Sequence, residues 1–291
     1  MPQSPAHHDH DHRGHAHHQH NGDDGLADLL DLDGQVLADY WAAAFDWLHG
    51  AAAGTDQTRL LDLGAGTGTG AINLAQRFTG TIVAVDVSAD SLQRLRVKAS
   101  ELGFEDRIDT VQADLDAEWP DLGTLDLTWA SMSLHHLADP ARVLRDVLAA
   151  SRPGGLIAVA EFAAPLRFLP ENLGVGRPGF EDRVNVLRDR ARAEDMPTLG
   201  TAWAPRLADA GWHIVDEQAF TIDQNPPWHP DATKYARGWF ARLSAGFGEQ
   251  LEPDDQLTLA ALLDEHGPHS LLRRTDLHLR GIRTITLGRR G

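Results

Sequence analysis

Residues 59–70 read Arg-Leu-Leu-Asp-Leu-Gly-Ala-Gly-Thr-Gly-Thr-Gly, an apolar run that passes directly into a glycine-rich stretch. The run at 59–63 predicts a buried strand, and a helical pattern begins straight after the glycines. Gly64, Gly66 and Gly68 allow a tight turn and let a ligand approach the main chain closely. The N-terminus of the following helix would direct unpaired N–H groups towards that ligand. The stretch therefore predicts a strand–loop–helix unit with a ligand site at its loop.

The residues that follow alternate between strand and helix patterns. Apolar, partly β-branched runs lie at 81–87, 107–111, 125–130 and 156–162, and helical patterns lie at 69–78, 89–102 and 139–150. Ser88 and Asp139 are predicted N-caps, and Pro140 follows at the first helical position. Strands that alternate with helices in this way predict a parallel sheet with helices on both faces.

After residue 163 the alternation becomes looser. Helices are predicted near 180–194, 201–210, 231–247 and 254–266, and strand patterns lie at 212–222 and 277–287. Two late strands separated by helices suit a sixth and a seventh strand with a cap between them. The predicted fold class is α/β: a seven-stranded, mostly parallel sheet with helices on both faces and a helical cap.

This pattern divides the chain into four segments. They are a His-rich tail over 1–22, an N-terminal helical segment over 23–58, a cofactor-binding core over 59–162, and the cap with the last two strands over 163–291. The tail holds eight of the 16 histidines and almost no apolar residue, so we expect it to be disordered. Its imidazoles would bind nickel, copper or zinc adventitiously, and a solvated tail is favoured over a dedicated metal site.

Composition excludes several classes of function. The formal net charge is −17, and a protein that grips a nucleic-acid backbone needs Lys and Arg, so a small-molecule partner is favoured. The chain has no stretch of about 18 apolar residues and no apolar signal segment, which predicts a cytoplasmic protein without a membrane span. The absence of Cys removes thiolate nucleophiles, Cys-ligated zinc and iron–sulfur clusters.

Asp62 bears on the type of ligand that the glycine loop would bind. A glycine-rich turn alone is compatible with NAD, FAD or a phosphate, and Gly66-x-Gly68-x-x-Ala71 fits the dinucleotide pattern loosely. Asp62, two residues before Gly64, would repel a pyrophosphate but suits the cationic amine of a methionine moiety. This difference favours a sulfonium cofactor, and a nicotinamide dehydrogenase that uses the shifted frame remains the alternative.

Further landmarks occur in a fixed order along the core. Asp86 closes Val-Ala-Val-Asp at 83–86, Asp114 lies in Val-Gln-Ala-Asp-Leu at 111–115, Leu-His-His-Leu spans 134–137, and Arg-Pro-Gly-Gly spans 152–155. With the first motif, they make residues 59–162 resemble the class I (Rossmann-like) S-adenosylmethionine-dependent methyltransferases. The likeness is strongest to the ubiquinone/menaquinone-biosynthesis-type and related small-molecule branch.

The resemblance implies S-adenosylmethionine as cofactor and a set of binding residues. Asp86 matches the acid that hydrogen-bonds both ribose hydroxyls, and Asp114 matches the acid at the adenine amino group, with the Leu115 backbone N–H beside it. The implied cofactor-binding residues are Asp62, Gly64, Ala65, Gly66, Gly68, Asp86, Val87, Asp114, Leu115 and Ala130. The N-terminal helix with Tyr40 and Trp41 is expected to close over the cofactor. Taken singly, the three acids could instead be strand-end or helix caps.

His135, His136 and Glu161 are the candidate catalytic residues. Methyl transfer from a sulfonium needs mainly alignment, and a general base helps where the nucleophile carries a proton. All three residues are expected at the carboxyl edge of the sheet, where ligands bind. The alternatives are that the His pair serves packing and backbone contact with the cofactor, and that Glu161 forms an ion pair with an arginine such as Arg167.

Two features of the cap leave alternatives open. Asn225-Pro226-Pro227-Trp228 is similar to the signature of enzymes that methylate amino groups of adenine or glutamine, but it follows the predicted sixth strand, so a Pro-rich turn is favoured. The aromatic residues of the cap could line a pocket for an apolar substrate or form the cap's own core. They are Phe168, Phe180, Trp203, Trp228, Tyr235, Trp239, Phe240 and Phe247.

The sequence thus predicts an enzyme that moves a methyl group by in-line displacement to an O, N or C nucleophile of a small molecule. No metal ligands are predicted outside the tail. The alternative from another class is a cofactor- or metal-binding regulatory protein without turnover.

Overall fold

The computed structural model describes residues 16–54, 56–195, 200, 202–226 and 229–291. Its strands form a seven-stranded sheet in the order β3-β2-β1-β4-β5-β7-β6. Strands β1 to β5 are parallel to one another, and β7 runs antiparallel between β5 and β6. The strands are β1 Arg59–Leu63, β2 Thr81–Asp86, β3 Ile108–Gln112, β4 Leu125–Ser131, β5 Ser151–Arg167, β6 His213–Gln224 and β7 Leu279–Arg289. The predicted α/β fold class is therefore confirmed.

Helices cover both faces of this sheet. The α-helices are α1 Ala16–Val36, α2 Ala38–Ala51, α3 Thr69–Arg77, α4 Ala89–Glu101, α5 Pro140–Ala150, α6 Phe180–Asp195, α7 Trp203–Asp209, α8 Ala232–Phe247 and α9 Pro253–Leu263. Short 3₁₀ turns lie at Leu134–His136, Gly248–Gln250 and Leu271–Arg273. Helices α1, α2, α3, α4, α6, α8 and α9 pack on one face, and α5 and α7 pack on the other.

The central strands alternate their side chains between two hydrophobic cores. In β1, Leu60 belongs to the core beneath α2 and α3, while Leu61 and Leu63 belong to the core beneath α5. All three are buried, as expected for a parallel strand covered on both faces. Burying one such side chain contributes about 1.5–3 kcal/mol to the free energy of unfolding.

Two helix starts follow the predicted capping chemistry. The Ser91 backbone N–H donates to the Ser88 side chain at 3.2 Å, and the Arg142 N–H donates to Asp139 at 2.9 Å. Pro140 occupies the first turn of α5, where its missing N–H would have no helical partner. Both predicted N-caps are confirmed.

Strand β5 is longer than the apolar run at 156–162 predicts. It begins at Ser151 and continues to Arg167 because β7 pairs with it antiparallel as far as Arg167 opposite Arg280. The register shifts between Phe162 and Ala164 and again before Arg167. The extension carries β5 beyond the carboxyl edge of the parallel strands and into the cap.

Helix α1 begins at Ala16, inside the segment for which the sequence predicts disorder. Helix growth adds one hydrogen bond per residue, so a helix anchored by the packed residues from Ala27 onward can extend through 16–22. The histidines at positions 1–15 lie outside the described residues. Leu29 packs near Gly238 of α8, where an added Cβ would lie 3.1 Å from its Cδ1.

In the part of the chain that the structure describes, no helix combines the length and the apolar character needed to cross a bilayer. The described residues also contain no cluster of three or more His, Asp or Glu side chains that could hold a metal ion.

Candidate active site

The loop between β1 and α3 is tied to the neighbouring strand. The backbone N–H groups of Gly64 and Ala65 both donate to the Val85 carbonyl at 2.9 Å. Gly64, Gly66 and Gly68 have φ values of +69°, +51° and +91°, which side chains with a Cβ rarely adopt. These three glycines therefore fix the turn that the sequence predicts at the end of β1.

Neighbouring side chains also require glycine at these positions. A Cβ on Gly64 would lie 2.2 Å from Ser133 Cβ, and one on Gly68 would lie 2.1 Å from Leu95 Cδ1. At Gly66 the nearest atom is Cδ1 of Leu30 in α1, at 3.0 Å. Beyond the tight turn and the ligand approach that the sequence predicts, Gly64 and Gly68 also make room for the protein's own packing.

Asp62 lies buried beneath the loop, 2% exposed, with its carboxyl against the start of α3. Gly70 permits this placement, because an added Cβ there would lie 2.7 Å from Asp62 Oδ2. Burial raises the pKa of Asp62 to about 7, while the N–H of Ala71 donates to the carboxyl and lowers it. Oδ2 has no hydrogen-bond partner among the described residues. Asp62 is thus a buried hydrogen-bond acceptor, and its Oδ2 atom is available to bind a further donor.

Asp86 ends β2 and binds the backbone both of the glycine loop and of the turn before α4. Its Oδ2 accepts from the Gly66 N–H at 2.8 Å, and its Oδ1 accepts from the Ser88 N–H at 2.9 Å. Ser88 caps α4, so Asp86 does not serve as that helix's cap. Each carboxylate oxygen has a second lone pair for a ligand donor. Val87 lies beside it with 63% of its surface exposed.

Asp114 lies exposed in the loop after β3. Its Oδ1 accepts from the Asp116 N–H at 2.9 Å. Leu115 is buried beside it, and its carbonyl accepts from the Arg142 guanidinium. Because the sheet order places β3, β2 and β1 side by side, Asp114, Asp86 and Asp62 lie in a row near one edge. The structure therefore brings together the three acids that the sequence singled out.

The end of β4 contributes a strained turn that the sequence analysis missed. Ala130 is buried between its partners Leu63 and Val159. Met132, two residues on, has a φ of +54°, a left-handed conformation that costs a non-glycine residue about 1–2 kcal/mol. It persists because the Met132 N–H donates to the Ala160 carbonyl at 3.0 Å and the Ser133 hydroxyl donates to the Leu63 carbonyl at 2.8 Å. Such strain is common next to binding sites.

His135 and Glu161 form a buried pair beyond the ends of β4 and β5. His135 Nδ1 lies 2.8 Å from Glu161 Oε2, and both side chains are about 5% exposed or less. Burial raises the pKa of Glu161, while the hydrogen bond to His135 and the charge of Arg283 oppose the rise. Glu161 Oε1 has no hydrogen-bond partner among the described residues. His136 is exposed, with its ring centroid 4.2 Å from that of His135.

The alternative ion pair between Glu161 and Arg167 is wrong. Arg167 lies six residues further along β5 and pairs with Asp182, with Glu181 at 3.8 Å. Glu161 instead binds His135.

A second buried polar cluster joins the N-terminal helices to the last strand. Arg283 is 2% exposed and donates to both oxygens of Asp33, at 3.2 and 2.5 Å. Asp33 also accepts from the Tyr235 hydroxyl at 2.6 Å and from Trp41 Nε1 at 3.2 Å. The Arg283 guanidinium lies 4.7 Å from the Tyr40 ring centroid. Burial raises the pKa of Tyr40 to about 12. We name this set the Asp33–Arg283 cluster.

Helix α1 lies across the glycine loop. Leu30 covers Gly66, and Gly34 approaches Thr69 so closely that an added Cβ would lie 2.6 Å from its hydroxyl. Lys98 of α4 binds Asp31 and donates to the Thr67 carbonyl at 2.9 Å. The N-terminal segment therefore covers the loop through α1, while Tyr40 and Trp41 of α2 lie against Arg283.

The Asn225-Pro226-Pro227-Trp228 segment begins after the far edge strand. Strands β5 and β7 lie between β6 and β4, so Asn225 does not follow the strand that ends at Ala130 and Ser131. Its side chain donates to Asp223 at 3.3 Å. Pro227 and Trp228 lie outside the described residues.

Most of the cap aromatics that the structure describes are buried. Phe168, Phe180, Tyr235 and Phe240 are each about 1% exposed and belong to the core beneath the cap. Trp203 belongs to the other core, and Trp239 is half-buried. Phe247 is also half-buried. The buried members support the cap-core alternative, and of the two half-buried rings Trp239 lies near Phe162.

Residues 60–155 match the protein-family model described as a methyltransferase domain. The resemblance predicted from the motifs of residues 59–162 is thereby confirmed, and the chain carries a methyltransferase domain. This match covers the glycine loop, the three acids and the His pair.

Three curated relatives are similar to this chain. 27-O-demethylrifamycin SV methyltransferase from Amycolatopsis mediterranei (strain S699) is 32% identical over 155 residues, 48% of this chain and 57% of that protein. A ubiquinone/menaquinone biosynthesis C-methyltransferase from Hahella chejuensis (strain KCTC 2396) is 32% identical over 113 residues, 36% of this chain and 43% of that protein. A tRNA 5-carboxymethoxyuridine methyltransferase from Escherichia coli O157:H7 is 28% identical over 174 residues, 59% of this chain and 66% of that protein. The matches span less than two thirds of each relative's length.

A crystal structure of a protein from Bacillus halodurans C-125 shares the fold. It superposes with a TM-score of 0.54 at 17% sequence identity, and the match covers 85% of this chain and 99% of that chain. Since it covers 85% of this chain, the likeness of fold extends beyond the matched residues 60–155.

Proposed function

We propose that this chain, which carries a methyltransferase domain over residues 60–155, moves a methyl group from S-adenosylmethionine to a small molecule. The observation that carries the proposal is the arrangement around the glycine loop. A buried carboxyl with an unpartnered oxygen lies beneath it at Asp62, and Asp86 holds the Gly66 N–H beside it. The same domain occurs in relatives that methylate small molecules.

The residues at the loop fit this cofactor. Asp62 would receive the cationic amine of the methionine part, because an unpartnered buried carboxylate gains most from a cation. Asp86 keeps lone pairs for the ribose hydroxyls while it binds Gly66 and Ser88. Val87 offers an exposed apolar surface to the adenine, and Asp114 with the Leu115 N–H would meet its edge. Gly64, Ala65, Gly66, Gly68 and Ala130 complete the proposed contact surface.

The bound cofactor would supply an activated methyl group on a sulfonium. The chain's own task is then to align the nucleophile and, where needed, to take its proton. Glu161 suits that second task, because burial raises its pKa and Oε1 lacks a partner among the described residues. His135 holds the carboxylate through Oε2. His136, on the exposed side of the pair, is a further candidate for contact with the acceptor.

The acceptor class follows from charge and from the position of the cap. A net charge of −17 opposes a long phosphate backbone, although one similar protein carries the name of a tRNA methyltransferase. We therefore favour a small molecule bound between the cap and the carboxyl edge, with an O, N or C nucleophile. The Asn225 segment is disfavoured as an amine site because two strands separate β6 from β4.

Transfer of labelled methyl groups tests this proposal. The full chain is incubated with methyl-labelled S-adenosylmethionine and, separately, with a panel of phenols, amines and carboxylic acids or with total tRNA. We expect label in at least one small molecule and none in tRNA. Label in tRNA alone would contradict the proposed acceptor class. Binding of S-adenosylmethionine without label in any acceptor would favour the regulatory alternative.

A further inference from the structure

One turn of helix α1 lies directly on the glycine loop. Leu30 Cδ1 lies 3.0 Å from the position that a Cβ on Gly66 would take, so this side chain contacts the loop backbone. The backbone N–H of Gly66 is also the group that Asp86 binds. A ligand that occupies the space beside Gly66 therefore requires Leu30 to move aside.

Ion pairs with α4 hold this turn in place. Arg94 Nη1 lies 2.6 Å from Asp28 Oδ1 and 3.3 Å from Asp31 Oδ2. Lys98 also binds Asp31, and it donates to the Thr67 carbonyl of the glycine loop at 2.9 Å. The two acids are three residues apart in α1 and the two bases are four apart in α4, so each pair lies on one face of its helix. We name these two acids and two bases the α1–α4 latch.

The α1–α4 latch is partly exposed to solvent. The side chains of Asp28 and Arg94 are 68% and 33% exposed, and the other two members are half-buried. Ion pairs of this kind are weak, and salt screens them. By contrast, Asp33 of the same helix binds Arg283, whose side chain is 2% exposed. Helix α1 is thus held by a buried ion pair at Asp33 and by exposed ion pairs over the glycine loop.

On its other side, the same turn packs against α8 of the cap. Leu29 lies beside Gly238, where an added Cβ would lie 3.1 Å from Leu29 Cδ1. This contact is apolar, so salt does not screen it. A rise in ionic strength therefore weakens the α1–α4 latch and leaves the contact with the cap in place.

Building on the proposed function, we propose that the α1–α4 latch sets the rate at which S-adenosylmethionine and S-adenosylhomocysteine enter and leave the glycine loop. When its ion pairs are formed, Leu30 lies on Gly66 and closes the loop. When they break, residues 28–31 move away and the loop becomes accessible. The charges of the latch control how often the helix opens, whereas the residues of the loop control the affinity.

Stopped-flow measurement of S-adenosylhomocysteine binding, followed by tryptophan fluorescence, tests the latch. The full chain is compared with Asp28→Asn/Asp31→Asn and with the control Asp39→Asn/Asp106→Asn, which removes the same charge at two exposed positions. We expect both the association and the dissociation rate constants of the latch variant to rise about three- to tenfold, with an affinity within about twofold of the parent chain. The parent rate constants should rise similarly between about 0.02 M and about 0.5 M NaCl, and those of the latch variant should change little.

Hydrogen exchange of the ligand-free chain tests the opening of the helix independently of the cofactor. The amides of residues 28–33 should exchange about three- to tenfold faster in the latch variant, and those of β1 should not change. Rate constants or α1 exchange equal to those of the parent chain would overturn the proposal, as would equal acceleration in the control variant.

Weaker binding by the latch variant with an unchanged association rate constant would also overturn the proposal, because Asp28 and Asp31 would then act on affinity. A parent chain that binds no S-adenosylhomocysteine would contradict the proposed function as well. That failure is distinguishable, because the exchange of α1 still reports whether the latch holds the helix.

Discussion

Asp62 and Glu161 are both carboxyl groups buried at the carboxyl edge of the sheet, and burial raises the pKa of each. Their surroundings differ. Asp62 faces the start of α3 and the backbone N–H of Ala71, whereas Glu161 faces a His side chain that can itself carry a proton. The first suits electrostatic binding of a cation, and the second suits proton transfer.

The raised pKa of Asp62 makes stability depend on pH. An unfolded Asp titrates near 3.9 and the folded one at about 7, so the folded state binds more protons in that window. Stability therefore decreases as pH rises from about 4 to 7. We expect Asp62→Asn to raise the free energy of unfolding by roughly 2 kcal/mol at pH 8 and by much less at pH 4.5. Urea unfolding at both pH values measures this.

Asp90→Asn is the control for that series, because Asp90 is exposed in the first turn of α4. It should change stability little and without the same dependence on pH. An Asp62→Asn variant that is no more stable than the parent chain at pH 8 would show that the buried, ionised carboxyl of Asp62 does not destabilise the folded state.

The prediction on catalysis concerns Glu161. Glu161→Gln keeps the size of the side chain but cannot accept a proton, so we expect kcat to fall about 100-fold with the acceptor identified by label transfer. In the parent chain activity should fall as pH drops through the raised pKa of Glu161, and the variant should lose this acid limb. Steady-state rates over the pH range measure both effects, with the exposed Glu118→Gln as the matched control. Parent-like rates in Glu161→Gln would assign proton removal elsewhere.

At the scale of elements, one carboxylate of helix α1 binds three other elements. Asp33 binds Arg283 of β7, Tyr235 of α8 and Trp41 of α2. Two and three residues before Asp33, Asp31 binds Lys98 and Leu30 covers Gly66. The C-terminal half of the helix that covers the glycine loop is therefore held both by the Asp33–Arg283 cluster and by α4.

Removing Asp33 should release this helix. Asp33→Ala leaves Arg283 buried without its carboxylate, and breaking a buried pair in this way costs about 3–5 kcal/mol. We expect that loss in urea unfolding, together with faster hydrogen exchange in α1 than in β1 to β5. Asp46→Ala, which removes an exposed partner of Arg77, should cost less than about 1 kcal/mol.

The double variant Asp33→Ala/Arg283→Met distinguishes the cost of leaving Arg283 without its carboxylate from the cost of lost packing. It removes the unpaired charge and should recover part of the lost stability. If Asp33→Ala costs no more than Asp46→Ala, the cluster does not anchor α1.

At the scale of the whole molecule, the sequence predicts those features of the fold that depend on residues close together in the chain. The strand and helix order, the caps at Ser88 and Asp139 and the glycine loop follow from periodicity and from short-range chemistry. The row of Asp62, Asp86 and Asp114 could be predicted because each acid ends a consecutive strand of a parallel sheet.

The features that the sequence did not predict depend on contacts between residues that are far apart in the chain. Asp33 and Arg283 are 250 positions apart, and an isolated Asp in a helix pattern usually faces solvent. Arg188 lies in a charged helix that a sequence pattern assigns to the surface, yet the cap buries it. The conformation of Met132 depends on its hydrogen bond to Ala160 in the next strand. None of these contacts leaves a signal in composition or spacing.

The central claim is that the glycine loop with Asp86 binds S-adenosylmethionine. Calorimetric titration of the full chain with S-adenosylhomocysteine tests it most directly, with Asp86→Ala and the exposed control Asp90→Ala beside it and NADH as a second ligand. We expect saturable binding of S-adenosylhomocysteine by the parent chain and by Asp90→Ala, at least about tenfold weaker binding by Asp86→Ala, and no binding of NADH. A folded parent chain that binds NADH and not S-adenosylhomocysteine, or equal affinity in Asp86→Ala, would contradict it.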